Sequence, residues 1–385
     1  MADPQDRPDW LRRLDHRAML REKAGLTRHL RPHGPASDEV VDLAGNDYLG
    51  LARDPEVIAA AEKALHDYGL GATGSRLVRG STDEHAALEA EVARLLGQPA
   101  ALVYSSGYLA NLGAIKALIP PRGVIFIDAH AHASLHDGCR LSGARVEIFN
   151  HSDVAALRAG LAAHHGLPAL VVTESVFSVD GDLAPLEELH SACRDAGAVL
   201  LVDDAHALGL LGPHGEGAVF DAGLAGEPDL VVTATLSKSV GAAGGVVAGP
   251  PALTRHLVDT SRPFIYDTAL PPAVVAGALA GIDMLRGAGA ERIGVRMHAE
   301  LAALKLRDAG FEVTEPAAAI VSVTAPDAAA AVAWAAACLE RGVAVGCFRP
   351  PSTPDARSRL RLTMNAGVST SDFERALGVI VETAP

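Results

Sequence analysis

The sequence predicts an α/β fold, with a mostly parallel seven-stranded sheet followed by a smaller α+β C-terminal domain. Three observations predict it. Seven short apolar runs recur along the first two thirds of the chain, and most are continuous rather than alternating, as strands covered on both faces require. Helical patterns such as 84–96 and 185–195 sit between them, giving the strand–helix rhythm of a parallel sheet with helices on both faces. The chain has 385 residues and is 49% hydrophobic, enough for a large core and for two or three domains.

In chain order, residues 1–45 read as an N-terminal arm. A charged helical stretch over 10–30 meets the breaker Arg31-Pro32-His33-Gly34-Pro35. A short strand at 40–43 then leads into Asn46-Asp47-Tyr48-Leu49-Gly50. Residues 46–265 form the large domain, with strands expected at 101–104, 123–128, 145–149, 169–174, 198–203, 230–233 and 245–248. Functional sites in such sheets lie at the carboxyl ends of the strands. Residues 266–385 hold a connector helix at 271–285 and the small domain. Its segments are 312–324, an Ala-rich helix at 327–341, strands at 344–348 and 359–363, and a last helix from 370.

The formal net charge of -14 argues against a general nucleic-acid binder, which needs clustered Lys and Arg. A local basic pocket for an anionic substrate remains compatible with it. The four cysteines, Cys139, Cys193, Cys338 and Cys347, include no C-x-x-C pair. That pattern suggests reduced thiols and a cytoplasmic setting. The charged N-terminus has no apolar core of a signal peptide, and the apolar runs are shorter than the ~20 residues that span a bilayer.

Five clusters carry candidate chemistry. Lys238, in Thr233-Ala234-Thr235-Leu236-Ser237-Lys238-Ser239, follows a buried strand among small residues. Burial there would favour the neutral amine that a Schiff base needs; a flexible-loop lysine is the competing reading. Asp203-Asp204-Ala205-His206 ends a strongly apolar strand. An acid there suits a pyridinium nitrogen, a helix cap or a magnesium ion. His130, His132 and His136 invite a zinc reading, but no H-E-x-x-H or paired cysteine accompanies them. A structural histidine, or an imidazole stacked on a cofactor ring, is the alternative. Ser105-Ser106-Gly107-Tyr108 is a strand-to-helix turn whose free N–H groups suit a phosphate. Arg349, Arg359 and Arg361 border a strand and suit a bidentate carboxylate clamp.

The order of these clusters resembles the α-oxoamine synthases over nearly the whole chain. Asn46-Asp47-Tyr48-Leu49-Gly50-Leu51, Gly74-Ser75-Arg76, Ser106-Gly107-Tyr108, His132-Ala133-Ser134-Leu135, Glu174 to Asp182, Asp203-Asp204-Ala205-His206, Thr235-Leu236-Ser237-Lys238 and the 349–363 stretch follow one another as in that family. The resemblance implies the fold-type-I architecture of pyridoxal-5'-phosphate-dependent transferases, working as homodimers with shared active sites. Gly346 to Pro351 and Arg262 to Thr268 point to the branch of biotin synthesis. That branch condenses L-alanine with a pimeloyl thioester, on coenzyme A or a carrier protein, to give 8-amino-7-oxononanoate, carbon dioxide and free thiol.

The resemblance also implies roles. Lys238 would carry the cofactor as a Schiff base and remove the Cα proton. Asp203 would pair with the pyridine nitrogen, His206 and Ser178 would lie near the ring hydroxyl, and His132 would stack on the ring. Gly107 and Tyr108, with Thr235, would hold the phosphate, and Thr268 would reach the phosphate of the neighbouring subunit. Asn46 and Arg361 would border the amino-acid carboxylate, Ser352 the acyl chain, and Arg28 would stand for the family's N-terminal arginine. Ser352 replaces a common Thr, and Ala207 replaces a common Gly. No metal is implied. Other readings are a glycine C-acetyltransferase, a metal-dependent hydrolase on Asp203, Asp204 and the histidines, and a non-catalytic binding protein.

Overall fold

The computed structural model describes residues 8–34 and 40–385. The strands are β1 (Val41–Leu43), β2 (Ala100–Tyr104), β3 (Val124–Asp128), β4 (Arg145–Phe149), β5 (Ala169–Glu174), β6 (Val199–Asp203), β7 (Leu230–Thr235), β8 (Gly245–Gly249), β9 (Ile320–Thr324), β10 (Val343–Phe348) and β11 (Arg359–Thr363). The helices are α1 (Asp9–Lys23), α2 (Pro55–Tyr68), α3 (Asp83–Leu95), α4 (Gly107–Leu118), α5 (Ala133–Ser142), α6 (Val154–Ala163) and α7 (Leu186–Ala196). They continue with α8 (Ala218–Asp221), α9 (Pro251–Thr260), α10 (Arg262–Tyr266), α11 (Pro272–Gly287), α12 (Gly289–Asp308), α13 (Ala328–Glu340) and α14 (Thr370–Glu382).

The large sheet has seven strands in the order β2-β8-β7-β6-β5-β3-β4. Only β8 runs antiparallel, to both of its neighbours. The central strands β3, β6, β7 and β8 are buried almost throughout, which is why their sequences read as unbroken apolar runs. All carboxyl ends of the parallel strands share one edge, so Asp128, Glu174, Asp203 and Thr235 arrive there together.

The small sheet has the order β1-β10-β11-β9. β1 pairs parallel with β10, so residues at the end of the arm complete the C-terminal sheet. α11 packs on α2 and α3, with Gly277 turned to Ala61 and Val57. A hairpin at 176–183 joins the two sheets. Ser322 donates to the carbonyl of Val179, and Arg359 meets Asp180 at 3.3 Å. Gly181 has φ 78°, and a Cβ there would lie 2.4 Å from the Ile320 carbonyl oxygen, so only glycine fits.

Several expectations shift. The helix expected over 10–30 ends at Lys23, where Gly25 takes a left-handed φ of 65°. The segment 312–324 is strand only from Ile320; Pro316 lacks an N–H for the ladder, and Val313 makes only an isolated bridge to Val323. The long α12 escaped notice because its charges spread around it, leaving an inner stripe of Val295, Ala299, Ala302 and Leu306. Among the described residues, no single helix is long and apolar enough to cross a membrane.

Candidate active site

Lys238 stands just past the end of β7, on a loop that returns to β8. Its Nζ lies 3.0 Å from Nε2 of His206. His206 is buried, and its Nδ1 lies 2.6 Å from the hydroxyl of Tyr48. That hydroxyl donates to Asn46 Oδ1 at 3.3 Å. The same oxygen accepts from Nη1 and Nη2 of Arg361 at 3.1 and 3.2 Å. Lys238, His206, Tyr48, Asn46 and Arg361 therefore form one continuous chain of polar contacts, from the end of β7 to the strand β11 of the small sheet.

A second chain approaches from the helix side. Asn111, on α4, donates to Asp203 Oδ2 at 2.7 Å and to Ser134 Oγ at 2.9 Å. Ser134 Oγ lies 2.7 Å from His132 Nδ1. His132 caps α5 and is exposed, so a face of its ring is accessible. Asp203 also accepts from the backbone N–H of Ala205 at 3.1 Å.

Electrostatics tie the two chains. Burial pushes the Lys238 amine down to about 8, against the pull of Asp203 and Glu174. Burial likewise drives His206 well below its ordinary value, helped by the charges of Lys238 and Arg361. Both shifts favour neutral bases. Glu174, fully buried, is raised well above the usual carboxyl range by burial and then by Asp203. It accepts from the N–H and hydroxyl of Ser178 at 3.1 and 3.2 Å.

The α4 N-terminus forms a cradle. Ser106 caps the helix by accepting from Leu109 N–H at 3.2 Å. A Cβ on Gly107 would lie 3.1 Å from Cβ of Thr235, and one on Gly245 would lie 2.2 Å from the Ser106 carbonyl oxygen. Glycine thus lets β8, β7 and the helix start converge, leaving N–H groups of a helix terminus beside the Thr235 hydroxyl. These residues fit pyridoxal phosphate: an anion cradle, an acid steadied by an amide, and a lysine with a depressed pKa. Asn111 Oδ1 and Arg361 Nε are buried without a hydrogen-bond partner among the described residues, so polar capacity is left over in the site.

The other expected residues fall as follows. Arg28 Nη2 donates to Ser352 Oγ at 2.8 Å, so two residues 324 positions apart meet. The arm is held there by Arg349, which donates to the carbonyls of Gly25 and Thr27. Thr268 is exposed, bonds through its N–H to Asp267 and bridges Ser75; no contact described joins it to the Lys238 network. Asp204 turns away from Asp203. It takes the Ser175 hydroxyl at 2.5 Å and the Ala218 N–H at 3.2 Å, at the start of α8.

His130 and His132 take different partners. His130 binds Asp180 at 3.1 Å and stacks on His151, with ring centroids 4.0 Å apart, while His132 faces Ser134. Tyr48, Asn111 and Glu174 are the residues that sequence reasoning left without roles. Asn111 carried one usable signal, since it sits one helical turn beyond Gly107 and so on the same face. A cavity of about 730 Å³ lies elsewhere, beside Leu26, Phe311, Pro350 and Arg357.

A family model described as aminotransferase class I and II matches residues 38–380. The 8-amino-7-oxononanoate synthase of Mycolicibacterium vanbaalenii is 50% identical over 371 residues, covering 96% of each chain. That of Mycolicibacterium smegmatis is 50% identical over 374 residues, covering 97% of this chain and 96% of its own. Among solved structures, serine palmitoyltransferase from S. paucimobilis, with bound PLP-myriocin aldimine, superposes with a TM-score of 0.92 at 33% identity and 98% coverage of both chains. An 8-amino-7-oxononanoate synthase from Francisella tularensis gives 0.78 at 28% identity, covering 90% of this chain and 98% of that one.

Proposed function

The chain belongs to the class I and II aminotransferase family of pyridoxal-phosphate enzymes, and from that premise we infer that it carries out the α-oxoamine synthase reaction of biotin biosynthesis. It joins L-alanine to a pimeloyl thioester, giving 8-amino-7-oxononanoate, carbon dioxide and free thiol. The observation that carries this reading is the 50% identity over 96% of both chains to an 8-amino-7-oxononanoate synthase; the Lys238 network supports it.

In this reading Lys238 would hold pyridoxal phosphate through Nζ; Gly107, Tyr108 and Thr235 would bind its phosphate, Asp203 its ring nitrogen, and His206 and Ser178 its ring hydroxyl, while His132 would lie against the ring. The bound cofactor supplies an electron sink that stabilises negative charge at the amino acid's Cα. Arg361 and Asn46 bind the alanine carboxylate, the guanidinium offering a two-pronged donor. Lys238 Nζ takes the Cα proton, and its depressed pKa keeps a useful fraction neutral near pH 8. Asn111 fixes the Asp203 carboxylate, and Glu174 fixes Ser178. Arg28 and Ser352 border the acyl chain.

We place two copies in the working enzyme, with Thr268 serving the neighbouring subunit. The exposure of Thr268 beside Tyr266, and of Leu77 and Val78 near Ser75, supports a protein-covered face. Four free cysteines fit a cytoplasmic setting.

The test is direct. Purified chain with pyridoxal phosphate, L-alanine and pimeloyl-CoA should release carbon dioxide and free thiol. Turnover only with glycine and acetyl-CoA would move the assignment to a sister enzyme. Activity that survives removal of pyridoxal phosphate but is lost to chelators would overturn it.

A further inference from the structure

Lys238 follows a strand of the large sheet and Arg361 lies on a strand of the small one, so the distance between them depends on how the sheets are joined. Arg361 of β11 stands opposite Ser322 of β9, and directly opposed residues of paired strands share a face. Arg359, two residues before Arg361, lies on that face too. Of these three side chains, Arg361 reaches Asn46. The other two reach the hairpin at 176–183. Ser322 donates to the Val179 carbonyl, and Arg359 Nη2 lies 3.3 Å from Asp180 Oδ1. Just before β9, the Ala317 N–H donates to the Gly181 carbonyl at 2.8 Å.

The large sheet holds the same hairpin from the other side. Asp180 Oδ2 lies 3.1 Å from Nδ1 of His130, whose ring stacks on His151. His151 sits between Asp128, at the end of β3, and Asp182, at 3.0 and 2.8 Å. Glu174, at the end of β5, accepts from the N–H and hydroxyl of Ser178. The hairpin is therefore a strut between the edge where Lys238 stands and the strand that carries Arg361. Asp180 bridges the two sides, with one oxygen toward His130 and the other toward Arg359.

That bridge has polar capacity left over. Asp180 Oδ1 and Arg359 Nε are both buried without a hydrogen-bond partner among the described residues, so their contact is an ion pair rather than a hydrogen bond. A closer seating of β11 on the hairpin would use that capacity. The Arg359 guanidinium is also held by Asp355, at 3.0 and 2.8 Å. Neutralising Asp180 therefore does not leave a buried cation bare.

We propose that Asp180 and Arg359 are positioning residues, which together seat β11 on the hairpin and set how far Arg361 reaches toward the amino acid's carboxylate. The proposal rests on the assignment of Arg361 to that carboxylate. It deepens that reading by naming what holds the guanidinium in place.

The test titrates the holoenzyme with two amines and reads binding from the visible spectrum. One is L-alanine; the other is isopropylamine, in which a methyl replaces the carboxylate. Asp180→Asn should weaken alanine by on the order of ten-fold, because a small misplacement of a clamp is costly, and change isopropylamine by about two-fold or less. Ser322→Ala loosens the same seating without removing a charge. It should weaken alanine by roughly three- to ten-fold and leave isopropylamine unchanged, and it carries the test if Asp180→Asn fails to fold. Equal weakening of both amines would make these contacts merely structural, and unchanged alanine affinity would leave them without a role; either result overturns the proposal. Wild-type enzyme that shows no preference for alanine would remove Arg361 from the carboxylate, and the proposal would then fall with that reading rather than by itself.

Discussion

Asn111 donates a 2.7 Å hydrogen bond to Oδ2 of Asp203 from a helix 92 residues earlier in the chain. The amide spends both of its hydrogens, one on Asp203 and one on Ser134, so its orientation is fixed by what it serves. Asn111→Ala leaves a buried carboxylate oxygen without its donor. Such a loss costs about 1–3 kcal/mol, which in the transition state is roughly ten- to a hundred-fold in rate. Steady-state kcat and a thermal melt measure both sides. A variant with wild-type kcat would remove Asn111 from the machinery.

Lys238→Ala should bind pyridoxal phosphate without the visible band of the wild type, and lose at least ~100-fold in turnover from the missing proton acceptor alone. The melt should stay level or rise, because the deleted amine is one whose charge burial opposes. An absorption spectrum and a melt decide it; an unchanged band would refute the attachment point.

Arg361→Ala and Arg28→Ala should separate the two substrates. The first removes the donor we propose for the amino-acid carboxylate and should raise KM for alanine by on the order of ten- to a hundred-fold. The second breaks only the exposed contact to Ser352 and should raise KM for the thioester, with alanine affected about two-fold at most. Both substrates weakening together in Arg28→Ala would remove it from the acyl side.

His151 sets an alkaline limit on stability. Burial opposes its charge, but Asp128 at 3.0 Å and Asp182 at 2.8 Å outweigh it and raise the ring to about 10. The folded state therefore holds a proton that the unfolded chain releases near 6.5. The contribution is complete below about pH 6.5 and is lost as pH rises through about 10. Lys238, lowered to about 8, acts with the opposite sign between about 8 and its ordinary 10.5. Melts of wild type and His151→Leu across pH 6–10 should converge as pH rises; a constant gap would contradict the raised value.

The large sheet was legible because doubly covered strands leave continuous apolar runs, and the acids and lysine that end them are conspicuous. Arg28 and Ser352 could be named separately, but nothing in spacing says that they touch, since that contact depends on how the arm crosses the small sheet. Tyr48 and Asn111 were hidden for another reason. Each is a buried side chain whose importance lies in what it orients, and a buried Tyr or Asn in a helical or turn sequence is indistinguishable from one that only fills space. The Asp203–Asp204 pair shows the same limit, because adjacent acids on one strand end point to opposite partners and only the fold says which faces the site.

The parallel seating of Val41–Leu43 on β10 has a consequence for handling the protein. A chain shortened to begin at residue 46 would keep the Lys238 loop and the whole seven-stranded sheet, yet strip one row of backbone partners from β10. Bare strand edges recruit other strands. Such a shortened form should bind cofactor when dilute and clump as its concentration rises, through the bared edge of β10.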